Sequence, residues 1–170
     1  MTAGLTLPEA LIAVAVLGIL SSLALPGAQE SVRRQQVETA SRQLSASLER
    51  ARAQAEQTGQ PCGLSLGSEG WQAPAGGSLP ACLDEEGPGL SPGIGIGHEI
   101  RLRHTFPSVL RIASNGLVLD GGTAVLSLAG TSLQRCLVMA PPLGVVRQGR
   151  YQGAATSEPS STACQPDPGL

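Results

Sequence analysis

The sequence predicts an α+β fold: a long N-terminal helix, apolar in its first half and amphipathic in its second, packed on an antiparallel β-sheet body. Three observations carry this. From Leu5 to Leu25 the chain has 21 residues, and Glu9 is the only charged one; about 20 apolar residues are what a helix needs to span hydrocarbon. From Gln29 to Thr58 apolar residues recur at steps of three and four, the period of one helix face. After Pro61 the period changes to alternation, punctuated by Gly, Pro and Asn-Gly, which marks short strands and tight turns.

The first element is the hydrophobic segment 5–28. An ionisable residue inside such a span is costly, which marks Glu9 as functional. Pro26-Gly27 is expected to kink the helix, because proline removes one backbone hydrogen bond and clashes with the preceding turn. The second element is the amphipathic helix 29–58. Val37, Ala40, Leu44, Leu48, Ala51 and Ala55 form its apolar stripe. Glu30–Arg34 and Glu38–Arg42 stand four apart in the favourable order for ion pairing. Gly59 can take the left-handed cap, and Pro61 forbids continuation.

Region 59–170 reads as a β-rich body with a mobile C-terminal tail. Cys62 to Leu66 is a short strand. Residues 67–97 are rich in Gly, Pro and Ser. A structureless loop of that length is uncommon in a compact domain, so a strand around Trp71 and a cross-link through Cys82 are expected within it. Glu99 to His104 alternates strictly. A meander follows, with strands at 109–112, 117–119, 124–128, 135–139 and 145–147. From Gln152 onward the chain is polar with Pro, and the tail is expected to move until Cys164 pins it.

Composition limits the chemistry. The net charge is −2 and all eleven basic residues are Arg, so no strong general attraction to nucleic acid is expected. The charge is segregated: segment 101–150 holds six Arg against Asp120, a balance of +5, and segment 59–100 holds five carboxylates and no Arg, a balance of −5. The pair Arg147 and Arg150 is the candidate for weak, phosphate-directed DNA contact, since a planar guanidinium donates two hydrogen bonds to one phosphate. Only Trp71, Phe106 and Tyr151 are available to stack on bases. The alternative is that these arginines pair with the acidic segment or lie singly in solvent.

The four cysteines lack any C-x-x-C spacing, which argues against zinc. They allow three disulfide connectivities. We expect Cys62–Cys82, clamping the start of the long loop, and Cys136–Cys164, tying the tail to the penultimate strand. No catalytic constellation, cofactor site or metal site is expected. His98 and His104 straddle a strand, Gly93 to Gly97 precedes no helix that could bind phosphate, and Asp84-Glu85-Glu86 lacks the spaced donors of a calcium loop.

Gly4, the hydrophobic Leu5, Thr6-Leu7, and Glu9 five positions after the glycine resemble a type IV prepilin cleavage site. The resemblance implies a leader of residues 1–4, cleavage by prepilin peptidase between Gly4 and Leu5, N-methylation of Leu5, and Glu9 as the fifth mature residue, acting in assembly. Pro26 falls where many pilins carry a kinking proline. A secretory signal peptide would need a basic n-region and a small-x-small site, and Met1-Thr2-Ala3-Gly4 has no basic residue. An ordinary membrane anchor would not explain Glu9 or its distance from Gly4.

The body narrows the resemblance. The long helix, Gly70-Trp71, the acidic turn Asp84 to Gly87, the strand Glu99 to Arg103, the Asn115-Gly116 hairpin, and Cys136-Leu137-Val138-Met139 followed by Gly144-Val145-Val146-Arg147 are similar to the GspH/FimT group of minor pilins and pseudopilins. This implies a non-enzymatic, structural or initiating subunit of a type IV pilus or a type II secretion pseudopilus. Its partners would be other pilins through the N-terminal helix, prepilin peptidase, and the bacterial inner membrane before assembly, with the body in the periplasm or outside the cell. A minor pilin that captures DNA for uptake, and a membrane-anchored extracytoplasmic enzyme, are the alternatives.

Overall fold

The computed structural model describes residues 7–74, 76–82 and 100–167, with the side chains of 17–28 outside the described set. The first element is α1 (Leu7–Thr58), 52 residues long, or about 78 Å at 1.5 Å per residue. It ends where its sequence dictates: Gly59 takes φ +62°, the left-handed turn that frees the chain from the helix.

Among the described residues eight strands follow in chain order: β1 (Cys62–Gly67), β2 (Gly70–Gln72), β3 (Ile100–His104), β4 (Leu110–Ile112), β5 (Gly122–Leu128), β6 (Gln134–Ala140), β7 (Val145–Tyr151) and β8 (Cys164–Gln165). They form two antiparallel sheets, one ordered β2-β1-β4 and one ordered β3-β5-β6-β7-β8. This is the α+β class, with the helix lying on the sheets.

The core forms where the helical stripe meets the sheets. All six stripe residues, Val37, Ala40, Leu44, Leu48, Ala51 and Ala55, are buried. They share one cluster with Ala124, Leu126 and Leu128 of β5, Leu137 and Met139 of β6, and Leu64 of β1. Each fully buried leucine contributes about 1.5–3 kcal/mol relative to exposure. Trp71 and Phe106 close this cluster edge to face, with ring centroids 5.4 Å apart, and Trp71 Nε1 donates to the Leu44 carbonyl at 3.0 Å. A buried indole needs such a partner.

Side chains alternate along each strand, so the five-stranded sheet has a second, outer face. Val125, Cys136, Tyr151 and Cys164 form a separate buried cluster there, with Val138 and Ala163 against it. The segment after Tyr151 covers this cluster. Gln152 N–H donates to the Ala163 carbonyl at 2.9 Å, and Ser160 N–H donates to the Tyr151 hydroxyl at 3.2 Å. A short 3₁₀ turn (Ser161–Ala163) then leads into β8.

Three elements differ from the sequence expectation. Residues 117–119 make one isolated bridge, Ile112 to Val118, and no strand. The Asp120 carboxylate accepts the Arg111 N–H at 3.0 Å, so a side chain replaces the backbone acceptor that would have continued the ladder. β7 runs four residues beyond Arg147, and β8 was not anticipated. Gln148-Gly149-Arg150 has no apolar period to announce a strand. Gly149 is where β8 crosses close: a Cβ there would collide with the Gln165 carbonyl. Asp84-Glu85-Glu86, Gly93 to Gly97, His98 and Glu99 lie outside the described residues.

Candidate functional site

The helix has two unlike halves. Leu7, Leu11, Ile12, Val14 and Val16 are exposed, at 50–76% of full accessibility. Glu9 stands among them in the first turn of α1. Gly4 and Leu5 lie outside the described residues. Helix α1 passes through Pro26, whose side-chain surroundings are outside the described set. Among the described residues no helix is long and apolar enough to cross a membrane; residues 17–28, the second half of the apolar run, fall outside the described side chains.

The body is held to the second half by a charged network that the sequence reading missed. Arg135, on β6, is 5% exposed. Its Nε donates to Glu38 Oε1 of α1 at 2.8 Å, and its Nη2 reaches the same oxygen. Its Nη1 donates to Asp167 Oδ2 at 2.7 Å, and Arg150 stands 3.7 Å from that same oxygen. Burial works against the Arg135 charge, but the hydrogen bonds it donates to Glu38 and Asp167 outweigh it and hold the guanidinium above its ordinary pKa. The expected Glu38–Arg42 pair does not form: Glu38 turns inward to Arg135, while Glu30–Arg34 does pair at 2.7 Å. A sequence signal for the network existed. Arg135 is in phase with Leu137 and Met139, both buried on the helix side, and a cation in that phase requires a carboxylate.

The structure does not bring Arg147 and Arg150 together. Three residues apart on one strand, they point to opposite faces of the sheet. Gln148, on the Arg150 face, donates to Ser45 Oγ of α1 at 2.6 Å, which fixes that face as the helix side. Arg147 is on the outer face and donates to the Ser161 carbonyl at 3.0 Å. Arg103 holds the same covering segment at the Ser157 carbonyl and lies over the Tyr151 ring, 5.9 Å from its centroid. The described carboxylates that pair with this arginine-rich stretch are Glu38, Asp120 and Asp167, none of them in segment 59–100.

Two disulfides complete the body. Cys62 is joined to Cys82 and Cys136 to Cys164, with sequence separations of 20 and 28 residues. The first holds residues 81–82 beside β1, where Gly63 N–H donates to the Pro80 carbonyl at 2.8 Å. The second ties β8 to β6 across the outer face. Among the described residues no group of three His, Cys, Asp or Glu could hold a metal ion.

The Arg111–Asp120 pair gives a pH dependence. Asp120 accepts from Arg111 Nε at 2.9 Å and Nη2 at 2.8 Å. These side-chain bonds hold its pKa below the ordinary aspartate value of 3.8, against the opposing effect of its partial burial. A carboxylate with a depressed folded pKa contributes stability that is fully present above the unfolded value and is lost as pH falls through the folded one. The Tm gap between wild type and Asp120→Asn should therefore be constant from pH 7 to about 5 and close below about pH 4. A gap unchanged at pH 3 would show that the charge on Asp120 contributes nothing.

A family model described as type II transport protein GspH matches residues 40–142, from near the start of the helical stripe to the β6–β7 turn. No curated protein and no solved structure matches the chain. The family match covers more than half of the 170 residues and takes in the helix stripe from Ala40 onward, strands β1 to β6 and Arg135. The chain therefore belongs to the GspH family, the pilin-like minor pseudopilins of type II transport.

Proposed function

We propose that this chain is a minor subunit of a type II secretion pseudopilus, made as a prepilin and drawn from the inner membrane into the fibre by its N-terminal helix. The observation that carries this is the division of α1. Its second half buries a continuous stripe in the body, while its first ten described residues expose large apolar side chains around one carboxylate. That is a surface made for lipid or for other helices. The type II family favours the secretion fibre over a type IV pilus. The role is structural, with no chemistry assigned to the chain.

Processing at Gly4 would place the new positive N-terminus of Leu5 four residues from Glu9. A carboxylate in an apolar bundle is costly unless a cation faces it. A neighbouring subunit's N-terminus meets that need, and such a pair fixes register more than it adds stability. Mass spectrometry of the membrane-extracted protein should find a mature chain beginning with N-methylated Leu5. Glu9→Leu should still insert and be processed, yet enter the fibre at least tenfold less. A mature chain beginning at Gln29, or normal incorporation of the variant, would overturn this reading.

A further inference from the structure

We propose that a cleft on the outer face of the five-stranded sheet binds a cationic side chain, arginine or lysine, carried on an extended segment of another protein. The cleft is open and measures about 640 Å³, within the roughly 300–1,000 Å³ of ligand clefts. It lies between the start of β5 and the end of β6 on one side and the covering segment on the other. Thr105, Thr123 and Val138 line it from the sheet, and Glu158 and Ser161 line it from the covering segment. Alternation along β5 puts Thr123 on the same face as Val125. Thr123 also pairs with Val138, which packs against the outer cluster. Its side chain therefore faces the cleft and not the helix.

Thr123 is the first pointer to a ligand. It is 4% exposed. Its N–H donates to Thr105 Oγ1 at 3.0 Å, but its own hydroxyl has no hydrogen-bond partner among the described residues. A buried hydroxyl without a partner costs stability, and an apolar group of the same shape is neutral or better. The fold makes no use of this hydroxyl; a ligand in the cleft can. The Thr105 oxygen has two lone pairs and gives one to the Thr123 N–H, so it too can accept from a ligand.

Glu158 sets the charge of that ligand. Among the described lining residues it alone is charged, and no described cation pairs with it. Arg103 and Arg147 stand close by, but they donate to the Ser157 and Ser161 carbonyls of the covering segment and do not line the cleft. They hold that wall in place, together with the Tyr151 hydroxyl and the Cys136–Cys164 bond. A carboxylate beside hydroxyl oxygens is complemented by a cation with several N–H donors. An ammonium has three and a guanidinium five. No aromatic side chain lines the cleft, so a flat ring has nothing to stack on. Because the cleft is open, a chain can lie across it and place one side chain inside. One exposed ion pair and a few hydrogen bonds contribute little, which puts binding at about millimolar. Such binding is independent of entry into a fibre.

The test is a titration of the isotope-labelled full chain in detergent micelles, read by amide chemical shifts. The probes are blocked tripeptides whose central residue is arginine or lysine. Saturable shifts are expected at Thr105, Thr123 and Ser161, with half-saturation at about millimolar peptide. The same peptides with central glutamine or glutamate should bind at least threefold more weakly. Glu158→Gln should weaken binding about threefold, within what one exposed ion pair contributes. Thr123→Val should weaken it at least threefold while leaving Tm at or above that of wild type. No saturable shift at these amides with either cationic peptide, equal binding of the glutamine or glutamate peptide, or an unchanged affinity in either variant would each overturn the proposal. A fall in Tm on Thr123→Val would also overturn it, since the hydroxyl would then serve the fold.

Discussion

Replacing Cys136 and Cys164 together by alanine should lower the stability of the body by about 3–4 kcal/mol. The bond closes a loop with a sequence separation of 28 residues, and in the chain-entropy account a loop of about 30 residues is restrained by that amount in the unfolded state. Both sulfur atoms also pack in the outer cluster with Val125 and Tyr151, so the alanines leave a small cavity. For a body of this size the change is a drop of about 10 °C or more in Tm. The loss should fall on the outer face of the sheet. β8 pairs only through Arg150–Gln165 and Tyr151–Cys164, and without the disulfide the covering segment keeps Arg103, Arg147, the Tyr151 hydroxyl and Asp167 as its ties. Hydrogen exchange should therefore quicken in residues 152–165 before it does in β5 and β6. The check is thermal unfolding with amide exchange on the same variant. A Tm within 2 °C of wild type would mean that the other ties hold the segment without the bond.

The helix and the sheets were legible because apolar periodicity reports burial directly. Every residue of the Val37-to-Ala55 stripe is in the core, and the strand expected around Trp71 is present, with the indole in the core and bonded to the Leu44 carbonyl. What escaped was specified by single polar groups. Nothing in the period of residues 117–119 says that the Asp120 carboxylate would take the place of a ladder carbonyl. The tail has no apolar period, so β8 could be placed only by the Cys164 bond and the room left at Gly149. That Arg147 and Arg150 lie on opposite faces was hidden for a related reason. With a strand expected to stop at Arg147, Arg150 had no defined side; once the strand continues to Tyr151, simple alternation separates the two guanidiniums. Glu38 illustrates the limit of local rules. An i,i+4 pair contributes a few tenths of a kcal/mol, too little to compete with a buried guanidinium 97 residues away that has few other partners.

That guanidinium gives the second large effect. Arg135→Ala should destabilise the body by about 3 kcal/mol, the lower end of the range for breaking a buried ion pair. The lower end applies because the carboxylates left behind are not sealed: the side chains of Glu38 and Asp167 are 25% and 15% exposed, against 7% for Arg135. Glu38→Gln should cost less, about 1–2 kcal/mol, since an amide still accepts from Arg135 and Asp167 still balances the charge. Removing the whole problem is different from removing half of it. A buried pair replaced by apolar groups of similar volume is often neutral or better. Arg135→Met combined with Glu38→Leu should therefore recover most of the loss seen in Arg135→Met alone, a coupling of more than 1 kcal/mol in a double-mutant cycle. Denaturant unfolding of the four proteins measures it. If Arg135→Ala unfolds within 0.5 kcal/mol of wild type, then packing of the Leu44 and Leu48 stripe alone holds the sheet to the helix, and the network spanning α1, β6 and the C-terminal segment is incidental. If the coupling appears as expected, the Arg135–Glu38 pair holds β6 to α1 in addition to the packing of the apolar stripe.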